Sequence, residues 1–119
     1  MGITNLEITI KNPAHPKQSI TQKFLVDSGA AYSVVPANIL KKIGIVPTSK
    51  RRFILANGET VEWRVGNALF HYQNETGASP VIFGDKDDIY LLGVVTLESL
   101  GLILDPIRRE LKPLPMLLM

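Results

Sequence analysis

The chain has 119 residues, a net charge of +2, no cysteine, and 45% apolar residues. That describes one globular domain with one modest core, too short for two full lobes. Disulfides, thiolate catalysis and Cys-ligated zinc are excluded. The short basic runs Lys41-Lys42, Lys50-Arg51-Arg52 and Arg108-Arg109 read as solvated loop edges rather than as a nucleic-acid surface.

Strand signals dominate from the start. "LEITI" (Leu6 to Ile10) alternates apolar and polar, as a half-buried strand does. "NPAHP" (Asn12 to Pro16) is a turn cluster. Ile20 to Val26 reads as a second strand whose last three residues lose the alternation, which predicts burial on both faces. Pro36 can open a short helix at its first position and Gly44 can close it, with Ile39, Leu40 and Ile43 as its apolar stripe.

"RRFILANGETVEWRV" (Arg51 to Val65) reads as a β-hairpin turning at Asn57-Gly58, since both residues tolerate positive φ. Trp63 within it reads as core packing before hairpin-base packing or a partner surface. "ALFHY" (Ala68 to Tyr72) is a further strand, "NETGASP" (Asn74 to Pro80) a loop, "VIF" a short strand and "GDKDD" (Gly84 to Asp88) a solvated turn. "IYLLG" (Ile89 to Gly93) is a buried strand. "TLESLG" is a short helix with Thr96 as its cap and Gly101 as its stop. "LILD" is a strand, "PIRR" a turn and "ELKPL" a last strand. The apolar tail over 113–119 fits a packed terminal strand or a cut point in a longer protein. Val34 to Pro47 and Val94 to Pro106 echo each other: two valines, a short helix, a glycine stop, an apolar stretch and a proline.

His15 and His71 lie far apart without metal-ligand spacing, so neither a metal nor another cofactor is expected. No leader pattern precedes the first strand, and no apolar run approaches membrane-spanning length. These favour a cytoplasmic location without a membrane partner.

One stretch carries chemistry. In "FLVDSGAAYSVVP" (Phe24 to Pro36) an apolar strand runs straight into Asp27, followed by Ser28, Gly29, Ala30 and Ala31. Backbone amides of the following turn can hold such a carboxylate, and Gly29 lets a ligand approach closely. The bland alternative is an Asp-Ser-Gly turn that binds its own amides and nothing else.

The motif, the hairpin at "LANGET" and the later "YLLG" before a short helix occur in that order. Together they resemble a retroviral-type aspartic protease, the retropepsin family, over roughly Phe24 to Leu104. The resemblance implies an all-β subunit with one or two short helices, a flap hairpin and a C2 homodimer acting on extended peptides. It puts the catalytic carboxylate on Asp27. Ser28 would steady the two active-site loops across the dimer, with Gly29 in support. Gly29, Ala30 and Ala31 would line the cleft, and Leu25, Val34 and Leu91 would be apolar pocket walls. Leu55, Ala56, Asn57 and Gly58 would be the flap tip.

Viral members often carry an acidic residue where this chain has Ala31, and an arginine where it has Val94. Their ion-pair network near the dimer base is therefore not expected here, and a stand-alone or cellular relative fits better than a viral one. The chemistry needs two carboxylates, one ionised and one protonated. Asp85, Asp87, Asp88 and Asp105 lack the small residues that follow a cleft aspartate, so the second comes from another copy. The alternative is a non-catalytic module of the same fold that binds peptides or dimerises without cleaving.

Overall fold

Alternation sets the first strand pair: β1 (Thr4–Lys11) and β2 (Ser19–Val26) lie antiparallel with Leu6 opposite Phe24 and Ile10 opposite Ile20. Ile8 and Ile10 are fully buried. The intervening turn is fixed by Asn12, whose Nδ2 donates to the Ile43 carbonyl at 3.0 Å while its Oδ1 accepts from the Ala14 amide at 2.9 Å. The computed structural model describes residues 4–105 and 107–115.

Next come β3 (Ser33–Pro36), α1 (Ala37–Lys42), β4 (Ser49–Ile54), β5 (Thr60–Tyr72) and β6 (Glu75–Gly84). They are followed by β7 (Leu91–Leu92), α2 (Val94–Ser99), β8 (Leu102–Leu104) and β9 (Leu111–Pro113). Seven strands form one sheet in the order β1-β2-β7-β3-β6-β5-β4. β1 also pairs with β5, Ile10 opposite Phe70, so the sheet closes on itself through β1 and leaves β4 as its edge. Inside lie Ile8, Ile10, Phe24, Val35, Phe70, Val81 and Leu92, with Leu40 and Leu97 sealing from the helices. Phe24 meets Phe70 edge-on at 6.1 Å.

Several sequence expectations need correction. Asn74 to Pro80 is not a loop, because β6 begins at Glu75 directly after a two-residue link in which Gln73 has φ 53°. Gly77 and Pro80 masked the strand. At Gly77 the bare backbone lets the Ser99 carbonyl approach, and a Cβ there would collide with it. Arg51 to Val65 and Ala68 to Tyr72 do not belong to separate elements on the second side, since β5 runs unbroken through Gly66. Its first half is a largely exposed hairpin arm and its second half enters the core. Phe24 to Val26 is not buried on both faces: Phe24 and Val26 are buried, but Leu25 is only half-buried.

"IYLLG" contributes only Leu91–Leu92 to the sheet, Pro36 caps α1 from outside, and Lys50-Arg51-Arg52 lies on β4. The echoed glycines Gly44 and Gly101 do share a left-handed φ of 82° and 72° after their helices. The echoed valines do not correspond: Val34 and Val35 are strand, whereas Val94 and Val95 are already helix. The end of the apolar tail, 116–119, lies outside the described residues. Among those described, no helix is long and apolar enough to cross a membrane.

β8 and β9 form a separate two-stranded ribbon closed by Asp105. Its Oδ1 accepts from the Ile107 and Arg108 amides, and its Oδ2 pairs with Lys112 Nζ at 2.7 Å. The Lys112 hydrogen bond, then those two amides, hold the Asp105 carboxyl down to about 2. A lowered carboxylate stabilises the fold fully above its ordinary value and stops doing so as pH falls through the lowered one. The Ile107 and Arg108 amide resonances should therefore titrate together with a midpoint at about pH 2, and Asp105→Asn should abolish that step. Ribbon amides that keep the same titration in the variant would contradict the assignment.

Candidate active site

Three short pairings bring the motif to one place. β2 and β7 run parallel, Leu25 beside Leu91 and Val26 beside Leu92, and Leu91 also faces Val34 of β3. The ladder continues one residue past β2, where the Asp27 amide donates to the Leu92 carbonyl at 3.0 Å. Asp27 is thus held at the mouth of the sheet. By strand alternation it shares a face with half-buried Leu25, opposite buried Val26.

The chain then turns tightly. Asp27 Oδ1 accepts from the Gly29 amide at 2.8 Å, and the Asp27 carbonyl accepts from the Ala30 amide at 3.2 Å. A Cβ on Gly29 would lie 3.2 Å from that carboxylate oxygen, so glycine leaves the half-buried carboxylate uncovered. The bland turn does form, and the same turn presents the carboxylate. Ser28, Gly29 and Ala31 are exposed.

The turn is gripped from behind by the start of α2. Val94 and Val95 amides donate to the Ala30 and Ala31 carbonyls at 2.9 and 3.0 Å, and the Gly93 amide donates to Ser33 Oγ at 3.0 Å. Both main-chain groups of Ala30 are therefore engaged within the chain; what it presents is a low surface. Ser33 Oγ lies 2.5 Å from Thr96 Oγ1, which lies 2.8 Å from Ser79 Oγ, all three residues buried. Thr96 is thus not the helix cap. α2 starts earlier, at Val94 after Gly93, and turns Thr96 inward to join two strands. The sequence reading missed this trio; its only signal was two serines set beside strongly apolar runs, "SVV" and "SPVIF".

The apolar residues expected as walls do border cavities. Val34 and Leu91 line one of about 210 Å³ with Trp63, Ile82 and Ile89, rimmed by Gly84, Asp85 and Asp88. Leu25 lines a second, of about 290 Å³, with Ile89 and Tyr90. Ile82, Ile89 and Tyr90 were not singled out from the sequence. Ser28 looks elsewhere, onto an apolar hollow of about 110 Å³ bordered by Val94, Leu97, Leu102 and Ile103. Trp63 is not core: it is 38% exposed at the hairpin root.

Leu55, Ala56, Asn57 and Gly58 form the end of the hairpin, with Leu55 half-buried and the rest exposed. The turn is not the expected two-residue one. The Gly58 amide bonds the Leu55 carbonyl, the Leu55 amide bonds the Glu59 carbonyl, and only Gly58 takes positive φ, 86°. Asn57 instead accepts the Glu59 amide on its Oδ1 at 2.9 Å.

The profile of a family described as aspartyl protease matches residues 13–94, a span holding the Asp27 turn, the hairpin and Gly93. The chain belongs to the aspartyl protease family. Its fold is all-β and retropepsin-like: the solution structure of the protease of simian foamy virus (mac) is similar with a TM-score of 0.53. That similarity comes at 22% sequence identity and covers 80% of this chain and 92% of the viral one. No curated protein compared with the chain matches it. Within this aspartyl protease the family match ends at Val94, so the ribbon β8–β9 lies beyond it.

Proposed function

We propose that this aspartyl protease is a homodimeric endopeptidase, with Asp27 of each copy supplying one carboxylate to a shared site. The observation that carries the reading is the Asp27 turn. One carboxylate is held at a sheet mouth by the Gly29 amide and followed by small residues, and Leu25 on its face and the neighbouring Leu91 each border a cavity. Of the other aspartates, Asp85 and Asp88 bond each other within their turn at the rim of the Val34–Leu91 cavity, Asp87 is exposed in the same turn, and Asp105 is tied to Lys112.

Two carboxylates held close share one proton, and the two apparent titrations belong to the pair. The ionised Asp27 takes a proton from water, whose oxygen bonds to the peptide carbonyl carbon. The protonated Asp27 of the other copy gives its proton to the carbonyl oxygen. The Asp27 that took the water proton then gives it to the amide nitrogen, the C–N bond breaks, and one hydroxyl proton of the adduct returns to the other Asp27, leaving an acid, an amine and the pair with its single proton. Exposed Ser28 would bond across the dimer beside this pair. The hairpin end from Leu55 to Gly58 would close over an extended peptide, excluding water and adding strand-like hydrogen bonds.

A second reading, a peptide-binding module that does not cleave, draws on Ala31 and Val94, which replace the ion-pairing residues often found in viral members. Dilution separates the two. Specific cleavage activity should fall as the protein is diluted through the dimer dissociation constant. A protein that sediments as a monomer and still cleaves at full rate would overturn the shared-site proposal.

A further inference from the structure

The hairpin is joined to the Asp27 turn by aromatic contacts. Tyr32, five residues after Asp27, meets Phe53 of β4 edge-on at 5.7 Å, and Phe53 meets Trp63 of β5 at 5.6 Å. The Arg51 guanidinium lies 5.5 Å from the centre of the Tyr32 ring and also donates to the Tyr32 hydroxyl. Arg51 pairs directly with Trp63 across the hairpin, and Phe53 is two residues on, so all three share one hairpin face. That face is turned to Tyr32.

Tyr32 is suited to be an anchor because its backbone neighbours are held. The preceding carbonyl, Ala31, accepts from Val95, and the following side chain, Ser33, belongs to the buried hydroxyl trio. At the far end of the row, Trp63 borders the cavity of about 210 Å³ whose other walls include Val34, Ile82 and Leu91. That volume suits one side chain rather than a whole small-molecule ligand.

We propose that Tyr32, Arg51 and Phe53 form a strut that fixes the hairpin root to the Asp27 turn. The strut holds Trp63 as a wall of a pocket for one bulky apolar side chain of the peptide. Tyr32 is then a positioning residue. The strut leaves the hairpin end free to open while its root stays in register with the site. The pocket half of this inference rests on the peptidase reading; the strut half rests on the contacts alone.

Trp63 is the chain's single tryptophan, so its fluorescence reports the strut directly. In Tyr32→Ala, Trp63 emission should shift to the red with lower anisotropy. The amides of β4 and the hairpin half of β5 should exchange about tenfold faster, as expected for loss of an edge-on aromatic contact and a cation–π contact. Tyr32→Phe and Arg51→Gln keep the rings and should give about a threefold acceleration each. With peptides differing only at the residue that fills the cavity, Tyr32→Ala should raise KM about tenfold for Leu or Phe there. For Ala at that position KM should change less than twofold, and kcat should hold for both.

Unchanged Trp63 emission and exchange in a folded Tyr32→Ala protein would overturn the strut. Should that variant fail to fold, unchanged values in Tyr32→Phe and Arg51→Gln would do the same. Equal KM losses for bulky and small residues would overturn the pocket. A wild type that cleaves nothing defeats the peptidase reading and the pocket with it, while the fluorescence and exchange results still decide the strut.

Discussion

Asp27→Asn should abolish peptide cleavage, by about a thousandfold or more, while the chain stays folded and dimeric. Asparagine keeps the shape, and its Oδ1 can still accept the Gly29 amide that organises the turn. What it loses is the ability to exchange a proton with water or substrate. The dimer should be retained or tightened, because two amides can meet at the axis without burying charge. Mixing equal amounts of wild type and variant, with exchange of subunits, should lower activity to about half that of the same wild-type protein alone. Half the wild-type chains then sit in hybrids, and one carboxylate cannot be acid and base at once. An Asp27→Asn protein that cleaves like wild type would reduce Asp27 to a turn residue.

Gly93→Ala should damage the site through the backbone alone. A Cβ there would lie 2.6 Å from the Tyr32 carbonyl carbon and 2.7 Å from the Ala31 and Tyr32 oxygens. All three are backbone atoms of the loop carrying Asp27, so no side chain can swing aside. Either the loop moves or α2 does, and either movement breaks the bonds from Val94 and Val95 that grip the turn. Overpacking of this kind costs about 1–3 kcal/mol, on the order of 10 °C in Tm for a domain this size. Activity should fall further than stability, because the displaced atoms position the carboxylate. Gly58→Ala makes the contrast. Its Cβ would meet nothing within 4 Å, so its cost is confined to the strained φ of 86°. Thermal melting of the two variants side by side, with kcat of Gly93→Ala, checks this; a Gly93→Ala protein with wild-type Tm and kcat would contradict it.

The local signals in the sequence served well where one residue settles the matter. Gly44 and Gly101 end helices because only glycine takes their φ cheaply, and the Asp27 motif announces itself by its composition. The reading failed where tertiary contacts override local chemistry. Gly77 and Pro80 look like loop residues, yet they sit in a ten-residue strand because α2 presses its backbone against Gly77. Thr96 looks like a cap, but a buried partner on each side draws it inward. Tyr32, Arg51 and Phe53 carry no pattern at all, since the row they form joins a loop to a strand nineteen residues away along the chain. The family resemblance grouped Leu25, Val34 and Leu91 as walls, and Val34 and Leu91 border one cavity while Leu25 borders another. Ile82 and Ile89 were not, because an isoleucine beside a turn reads the same whether it faces a core or a cavity.

The most direct measurement of the central claim is a crystal structure of the assembled protein at acid pH. Two copies related by a two-fold axis should place their Asp27 carboxylates about 3 Å apart, within reach of a shared proton. A dimer that holds the two Asp27 side chains well beyond hydrogen-bond reach, in a protein that cleaves peptides, would contradict it.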